Sequence, residues 1–262
     1  MPDWLAVILL GIIEGVTEFL PVSSTGHLLL VENTGLLPRQ TDLFNTVIQC
    51  GAVLAVVVVF AGKIQELFMN RKSAVARDYL GKLLFAFVLT GTGGLLLKKL
   101  GLVLPKDPRP VAVATLIGGI LIFVIERRVR TMPLQNQISW TVAAMIGGAQ
   151  LLAGAFPGTS RSGATILLAL CFGVARPSAT EFSFILGIPT LLAAGGLEIF
   201  KGMRHGEGPP ENWRLLALGT LVSAISAFVV VRWLLRYVQS HTFNPFGWYR
   251  VALGLLILVL FR

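Results

Sequence analysis

Apolar runs long enough to cross a bilayer follow one another through most of this chain, and that pattern constrains its fold more than any other feature. A bilayer core takes roughly 20 apolar residues per spanning helix. Only 13% of the 262 residues are charged, against about 25% in soluble domains, and mean hydropathy is +0.78. The connections between runs are short and polar. The sequence therefore predicts an all-α polytopic membrane protein made of a single integral membrane domain, residues 1–262.

Lysine and arginine outnumber aspartate and glutamate by 22 to 13, a net charge of +9. In a soluble chain that balance would suggest nucleic acid. Here Lys98, Lys99, Arg127, Arg128, Arg130, Arg232 and Arg236 sit at the ends of apolar runs, where snorkelling side chains meet anionic headgroups. The partners this implies are membrane lipids, with no nucleic acid. Cys50 and Cys171 lie far apart inside apolar runs and read as small buried residues outside any disulfide framework. The start, Met1 to Asp3, lacks the basic stretch of a cleavable signal peptide. Basic residues do not alternate between successive links, so charge bias leaves the orientation open.

Two apolar runs are broken, and in the same way. Residues 4–20 are interrupted by Glu14, Thr17 and Glu18 and stopped by Pro21; a short apolar piece, residues 25–31, follows. Next come a span over 42–61, a charged interfacial stretch over 63–78, and spans over 80–97 and 111–125 joined by the basic link 98–110. After a polar link, 127–137, the opening pattern returns: an apolar run over 138–156, a break at Pro157-Gly158, and a short piece over 163–173. A span over 180–200, the polar link 201–212, and spans over 215–235 and 246–261 complete the chain. Pro21-Val22-Ser23-Ser24-Thr25-Gly26 aligns with Pro157-Gly158-Thr159-Ser160-Arg161-Ser162. Broken segments at matching places in two halves, approximately 1–126 and 138–262, predict an inverted-topology repeat. Its two re-entrant broken helices would meet near the membrane midplane.

Glu14 and Glu18 lie one helical turn apart at membrane depth. Each charge there costs at least about 2.5 kcal/mol, so a basic residue, a proton, water or a metal ion must compensate. Ser24 and His27 are three residues apart, close enough on a first helical turn for the imidazole to act as general base or acid; a histidine that caps or packs is the plainer alternative. Ser23-Ser24-Thr25-Gly26 and Thr159-Ser160-Arg161-Ser162-Gly163 each open a short helix, where free N–H groups and the dipole suit an anion, although Ser and Thr are also ordinary N-caps. Arg161 keeps its proton and needs an anionic partner. Its fork suits phosphate, and Glu14 or Glu18 can pair with it at rest. A nucleophile, a base, an arginine and two helix starts make a phosphoryl-transfer set.

The strings Glu14-Gly15-Val16-Thr17-Glu18-Phe19-Leu20-Pro21-Val22-Ser23-Ser24-Thr25-Gly26-His27 and Pro157-Gly158-Thr159-Ser160-Arg161-Ser162-Gly163-Ala164-Thr165 resemble the undecaprenyl-diphosphate phosphatase family of the bacitracin-resistance type. Residues 44–51, Glu181-Phe182-Ser183-Phe184, Pro245-Phe246 and Tyr249-Arg250 extend the resemblance, and the layout covers essentially the whole chain. Thr90-Gly91-Thr92-Gly93 departs from it, standing where a proline-containing span is expected.

The resemblance implies a multi-pass hydrolase of the bacterial cytoplasmic (inner) membrane, with its active site on the extracytoplasmic side. Its substrate would be the C55 polyprenyl diphosphate, cleaved to the monophosphate carrier reused for peptidoglycan synthesis. Dependence on Mg2+ or Ca2+ and bacitracin resistance on overproduction belong to the same expectation, and a homodimer is compatible with it. On this reading Arg161, Ser160 and Ser162, with Ser23, Thr25, Gly26, Thr159 and Thr165, hold the phosphates. Ser24, activated by His27, attacks; Glu18 orients His27 or holds a cation, supported by Glu14. Direct attack by water with His27 as base is a variant. The rival is a secondary transporter or lipid-carrier flippase, whose usual architecture is inverted repeats with broken helices. Transport has no need of Ser24-x-x-His27 facing an arginine.

Overall fold

The computed structural model describes residues 1–102, 107–205 and 212–261. Parts of the links 98–110 and 201–212 therefore lie outside the described residues. Within them the chain forms eleven helices, and the only extended pairing is an isolated bridge between Gln135 and Val174.

The first broken run folds as α1 (Asp3–Thr17) and α2 (Ser24–Asn33), the second as α7 (Trp140–Ala155) and α8 (Arg161–Cys171). At 1.5 Å per residue, none of these exceeds about 24 Å, short of a hydrocarbon core of about 30 Å. Five other helices are long and apolar enough to cross a membrane: α3 (Asp42–Val59), α5 (Ala74–Lys99), α6 (Pro108–Val129), α9 (Arg176–His205) over its Arg176–Gly202 part, and α10 (Trp213–Tyr237). The remaining two are α4 (Ala61–Met69), within the expected interfacial stretch, and α11 (Asn244–Leu260). Leu221, Ile225 and Val229 form an exposed apolar row along α10, as a lipid-facing helix requires.

Several helices run past their apolar cores because the charges at their ends are satisfied locally. α5 begins well before the expected residue 80: Lys82 pairs with Asp78 one turn earlier, and Trp140 Nε1 donates to Asp78 at 3.1 Å. α6 continues through Glu126, which is fully buried yet held by the Arg176 guanidinium and by the Phe243 backbone N–H at 2.8 Å. α9 carries Pro189 inside it.

Helix α3 packs on α10 and α9, and α6 on α11; α1 packs on α10 as α7 packs on α5. Contacts at the helix ends sort them into two groups. The end of α2 meets the start of α3, where Asn45 Nδ2 donates to Glu32 at 3.3 Å. That end also holds the close of α11 beside the start of α6, where Arg109 Nε donates to the Phe261 carbonyl at 3.2 Å. The opposite end gathers the starts of α5 and α7 through Asp78 and Trp140, with the turn after α8, where Gln135 N donates to the Gly173 carbonyl at 2.9 Å. The broken pair α1–α2 thus enters from one end of the bundle and α7–α8 from the other. Their tips meet each other.

Candidate functional site

The two tips are built alike. Pro21 lacks the N–H to continue α1, and α2 starts afresh at Ser24. Ser23 has φ 75° and Ser160 φ 67°, the only non-glycine residues with positive φ among those described. Such a backbone costs on the order of 1–3 kcal/mol, partly offset by capping: Ser23 Oγ accepts from Gly26 N at 3.3 Å and Ser160 Oγ from Gly163 N at 3.2 Å. This geometry corrects the register. Ser23 corresponds to Ser160, Ser24 to Arg161 and Gly26 to Gly163, one residue away from the alignment that the prolines suggested. The nucleophile candidate and the arginine therefore occupy equivalent first positions of facing helices.

Cross-ties fix the tips to each other. Ser162 Oγ donates to the Leu20 carbonyl at 2.9 Å. Arg250, only 1% exposed, spreads its guanidinium over four carbonyls: Pro21 (3.2 Å) and Gly158 (3.0 Å), one from each tip, and Thr115 (3.1 Å) and Ala114 (3.3 Å) of α6. At Gly158 φ is 96°, and a Cβ would lie 2.4 Å from the Val111 carbonyl oxygen, so only glycine fits there.

Glu18 sits between the two helix starts. Its Oε2 accepts from Ser24 Oγ at 2.8 Å and its Oε1 from Arg161 Nη2 at 3.1 Å. Both ends of this ion pair are nearly buried, with side-chain exposures of 11% for Arg161 and 7% for Glu18. Arg161 Nε and Nη1 are buried without a hydrogen-bond partner in the protein. Phe19 lies 5.3 Å below the guanidinium. Across from it, a Cβ on Gly187 would come within 2.5 Å of Nη1, so glycine is what lets α9 approach. A cavity of about 310 Å³ opens on this group, lined by Glu18, Ser23, Ser24, Thr25, Ser160 and Arg161 and by apolar Leu97, Leu151 and Leu191. Thr25 and Gln49 also line a second, more polar cavity of about 110 Å³ beside Asn33, Arg39 and Asn45, which leads toward the α2–α3 end of the bundle.

Other expected site residues stand elsewhere. His27 spends its ring nitrogens away from Ser24: Nδ1 lies 2.7 Å from the Ser23 carbonyl and Nε2 2.6 Å from Tyr249 Oη. A carbonyl only accepts, so Nδ1 carries the hydrogen and Nε2 of the neutral ring accepts from the tyrosine. Both nitrogens are committed, and the serine proton faces Glu18 instead. Thr165 is fully buried, bonded to the Arg161 carbonyl at 2.9 Å and to Ser183. Ser162 is fully buried in the tie described above. Thr159 Oγ1 turns back to the Phe156 carbonyl at 2.7 Å. Gly26 is buried, its N–H spent on Ser23. None of these four lines the cavity. Glu14 is fully buried behind Glu18, close to the Glu18 and Ser24 side chains. Among the described residues no three His, Cys, Asp or Glu side chains gather as a metal site.

Over residues 7–256 the chain matches the family described as bacitracin resistance protein BacA. The chain belongs to the BacA family. A relative from Rhizobium etli, named undecaprenyl-diphosphatase, is 46% identical over 98% of this chain and 96% of its own. Proteins of the same name from Xylella fastidiosa, 44% identical over 98% of both chains, and from Xanthomonas euvesicatoria, 42% identical over 99% of this chain and 97% of its own, match equally completely. For this BacA family member, sequence reasoning gave no role to Arg250. It is distant in sequence from the Pro21 and Gly158 carbonyls it ties together, and an arginine near the start of an apolar run was the only available signal.

Proposed function

We propose that this chain hydrolyses undecaprenyl diphosphate to undecaprenyl phosphate and inorganic phosphate, with Ser24 Oγ as nucleophile and Glu18 as its base. The observation that carries this reading is Glu18, whose two oxygens join the Ser24 hydroxyl to the Arg161 guanidinium in one buried group. The chemistry follows from it. Glu18 takes the Ser24 proton as Oγ bonds to the terminal phosphorus, and the bond from that phosphorus to the bridging oxygen breaks. The prenyl monophosphate leaves as its dianion, with a phosphoserine behind it. Arg161, whose Nε and Nη1 have no protein partner, grips the transferring phosphoryl group together with the N–H groups opening α2 and α8. Positioning and electrostatics supply most of the acceleration in such transfers. The apolar wall of Leu97, Leu151 and Leu191 takes the first prenyl units. The transporter reading leaves a serine hydroxyl aimed at a buried carboxylate without a use.

A divalent cation fits this site only sparingly, through Glu18 with the substrate's own phosphates, since Glu14 is sealed behind it and Mg2+ commonly makes do with one or two carboxylates. Bound there, it would neutralise charge on the departing phosphate. Loss of turnover in chelator, restored by Mg2+ or Ca2+, supports that role, and full turnover in chelator removes it. We further infer a two-fold inverted repeat in the bacterial inner membrane, with the α2–α3 end and its polar cavity facing the extracytoplasmic side. The primary experiment is phosphate release from undecaprenyl diphosphate by purified protein in detergent, which Arg161→Ala should abolish. Unchanged release from folded Arg161→Ala would contradict the assignment.

A further inference from the structure

Gln150 stands on α7 at the wall of the same cavity as Ser24, Glu18 and Arg161, and it is only 4% exposed. Its Nε2 donates to Thr90 Oγ1 at 3.0 Å, whereas its Oε1 is buried with no partner in the protein. Thr90 fixes which end is which. Its one hydroxyl proton is directed at the carbonyls of Ala86 (2.8 Å) and Gly147 (3.2 Å), so toward the carboxamide it can only accept. The glutamine is thus anchored by its nitrogen, leaving an acceptor that calls for a donor. A fully ionised diphosphate offers no proton, and Ser24 already gives its own to Glu18. Water is the donor that hydrolysis itself brings into the cavity.

We propose that Gln150 is a positioning residue, accepting a hydrogen bond through Oε1 from the water that hydrolyses the phosphoserine at Ser24, with Thr90 as its anchor. A glutamine orienting an attacking water is an established device in phosphoryl transfer. The proposal rests on Ser24 being the nucleophile. In this step the water oxygen bonds to phosphorus and the bond from phosphorus to Ser24 Oγ breaks. Glu18 returns its proton to Oγ, the water's proton goes to the phosphate, and phosphate departs as the monoanion. Gln150 exchanges no proton.

The test combines steady-state kinetics on undecaprenyl diphosphate with acid quenching of the full chain in detergent, comparing wild type, Gln150→Leu and Thr90→Val. Only dephosphorylation should slow. In Gln150→Leu, kcat should fall about 100-fold, as for misplacement of a reacting group, and KM should fall with it. The ratio kcat/KM, which reports steps through phosphoserine formation, should stay within about threefold of wild type. Trapped phosphate on the Ser24 peptide should rise toward one per chain. Thr90→Val should show the same split more weakly, and it carries the test if Gln150→Leu does not fold. Wild-type kcat in either variant overturns the proposal. So does an equal loss of kcat and kcat/KM without accumulation, when the wild type itself gives the phosphopeptide. If no phosphopeptide appears in any of the proteins, the Ser24 reading fails and this one falls with it.

Discussion

Glu18→Gln replaces one carboxylate oxygen with an NH2 group and should separate binding from chemistry. The carboxylate now accepts on both sides, from Ser24 Oγ at 2.8 Å and Arg161 Nη2 at 3.1 Å. A glutamine must turn one of those atoms into an NH2 donor. Arg161 has no lone pair to receive it, so the amide oxygen stays with the arginine and the nitrogen faces Ser24. The hydroxyl then rotates to accept, and its proton no longer points at a base. A general base is worth about 10²–10⁴ in rate, or about 3–5 kcal/mol of barrier, and kcat should fall by that factor. The folded state should lose about 3–5 kcal/mol, because the nearly buried Arg161 charge loses its counter-charge and keeps only a hydrogen bond to the amide oxygen. The KM should not rise, since a negative charge beside an anionic headgroup has been removed. Phosphate release and thermal unfolding in detergent measure the two effects separately. A kcat within tenfold of wild type in a folded Glu18→Gln protein would refute the role given to this carboxylate.

His27→Ala should be milder than Ser24→Ala in phosphate release, because His27 meets Ser23 and Tyr249 rather than the nucleophile; equal severity would return the histidine to the chemistry. Arg250→Met should leave the Pro21 carbonyl without its donor, while Gly158 keeps Thr115 Oγ1 and the Ala114 and Thr115 carbonyls keep their places in α6. At about 1–3 kcal/mol for an unsatisfied group, and with the tie between the two tips cut, thermal stability and turnover should both fall, and wild-type behaviour in both would show that the tips hold together without it.

The broken runs were legible because proline, glycine and hydroxyl residues inside apolar sequence have no place in an ordinary span. The meeting of Arg161 with a carboxylate was foreseeable from the cost of an unpaired arginine at depth, while the choice of Glu18 over Glu14 was left to the fold. The repeat register was misaligned by one because the prolines stand out, whereas the equivalent feature is the positive-φ cap at Ser23 and Ser160. Sequence spacing suggested Ser24 with His27, since residues three apart share a helix face. What decides the partner is the turn at Pro21, which brings Glu18 back over the start of α2. Arg250 and Gln150 were illegible because their partners lie far away in sequence. Helix ends at residues 74 and 129 overran the apolar cores because Asp78, Lys82 and Glu126 find partners that periodicity does not reveal.

The central claim is that Ser24 becomes phosphorylated during turnover, and acid quenching tests it most directly. Purified protein turning over undecaprenyl diphosphate labelled in the terminal phosphate would be denatured in acid, digested and sequenced. The label should reside on Ser24, should be absent from Ser24→Ala, and should be strongly reduced in Glu18→Gln. Robust phosphate release by Ser24→Ala with no labelled peptide from the wild type would contradict the account and favour direct attack by water.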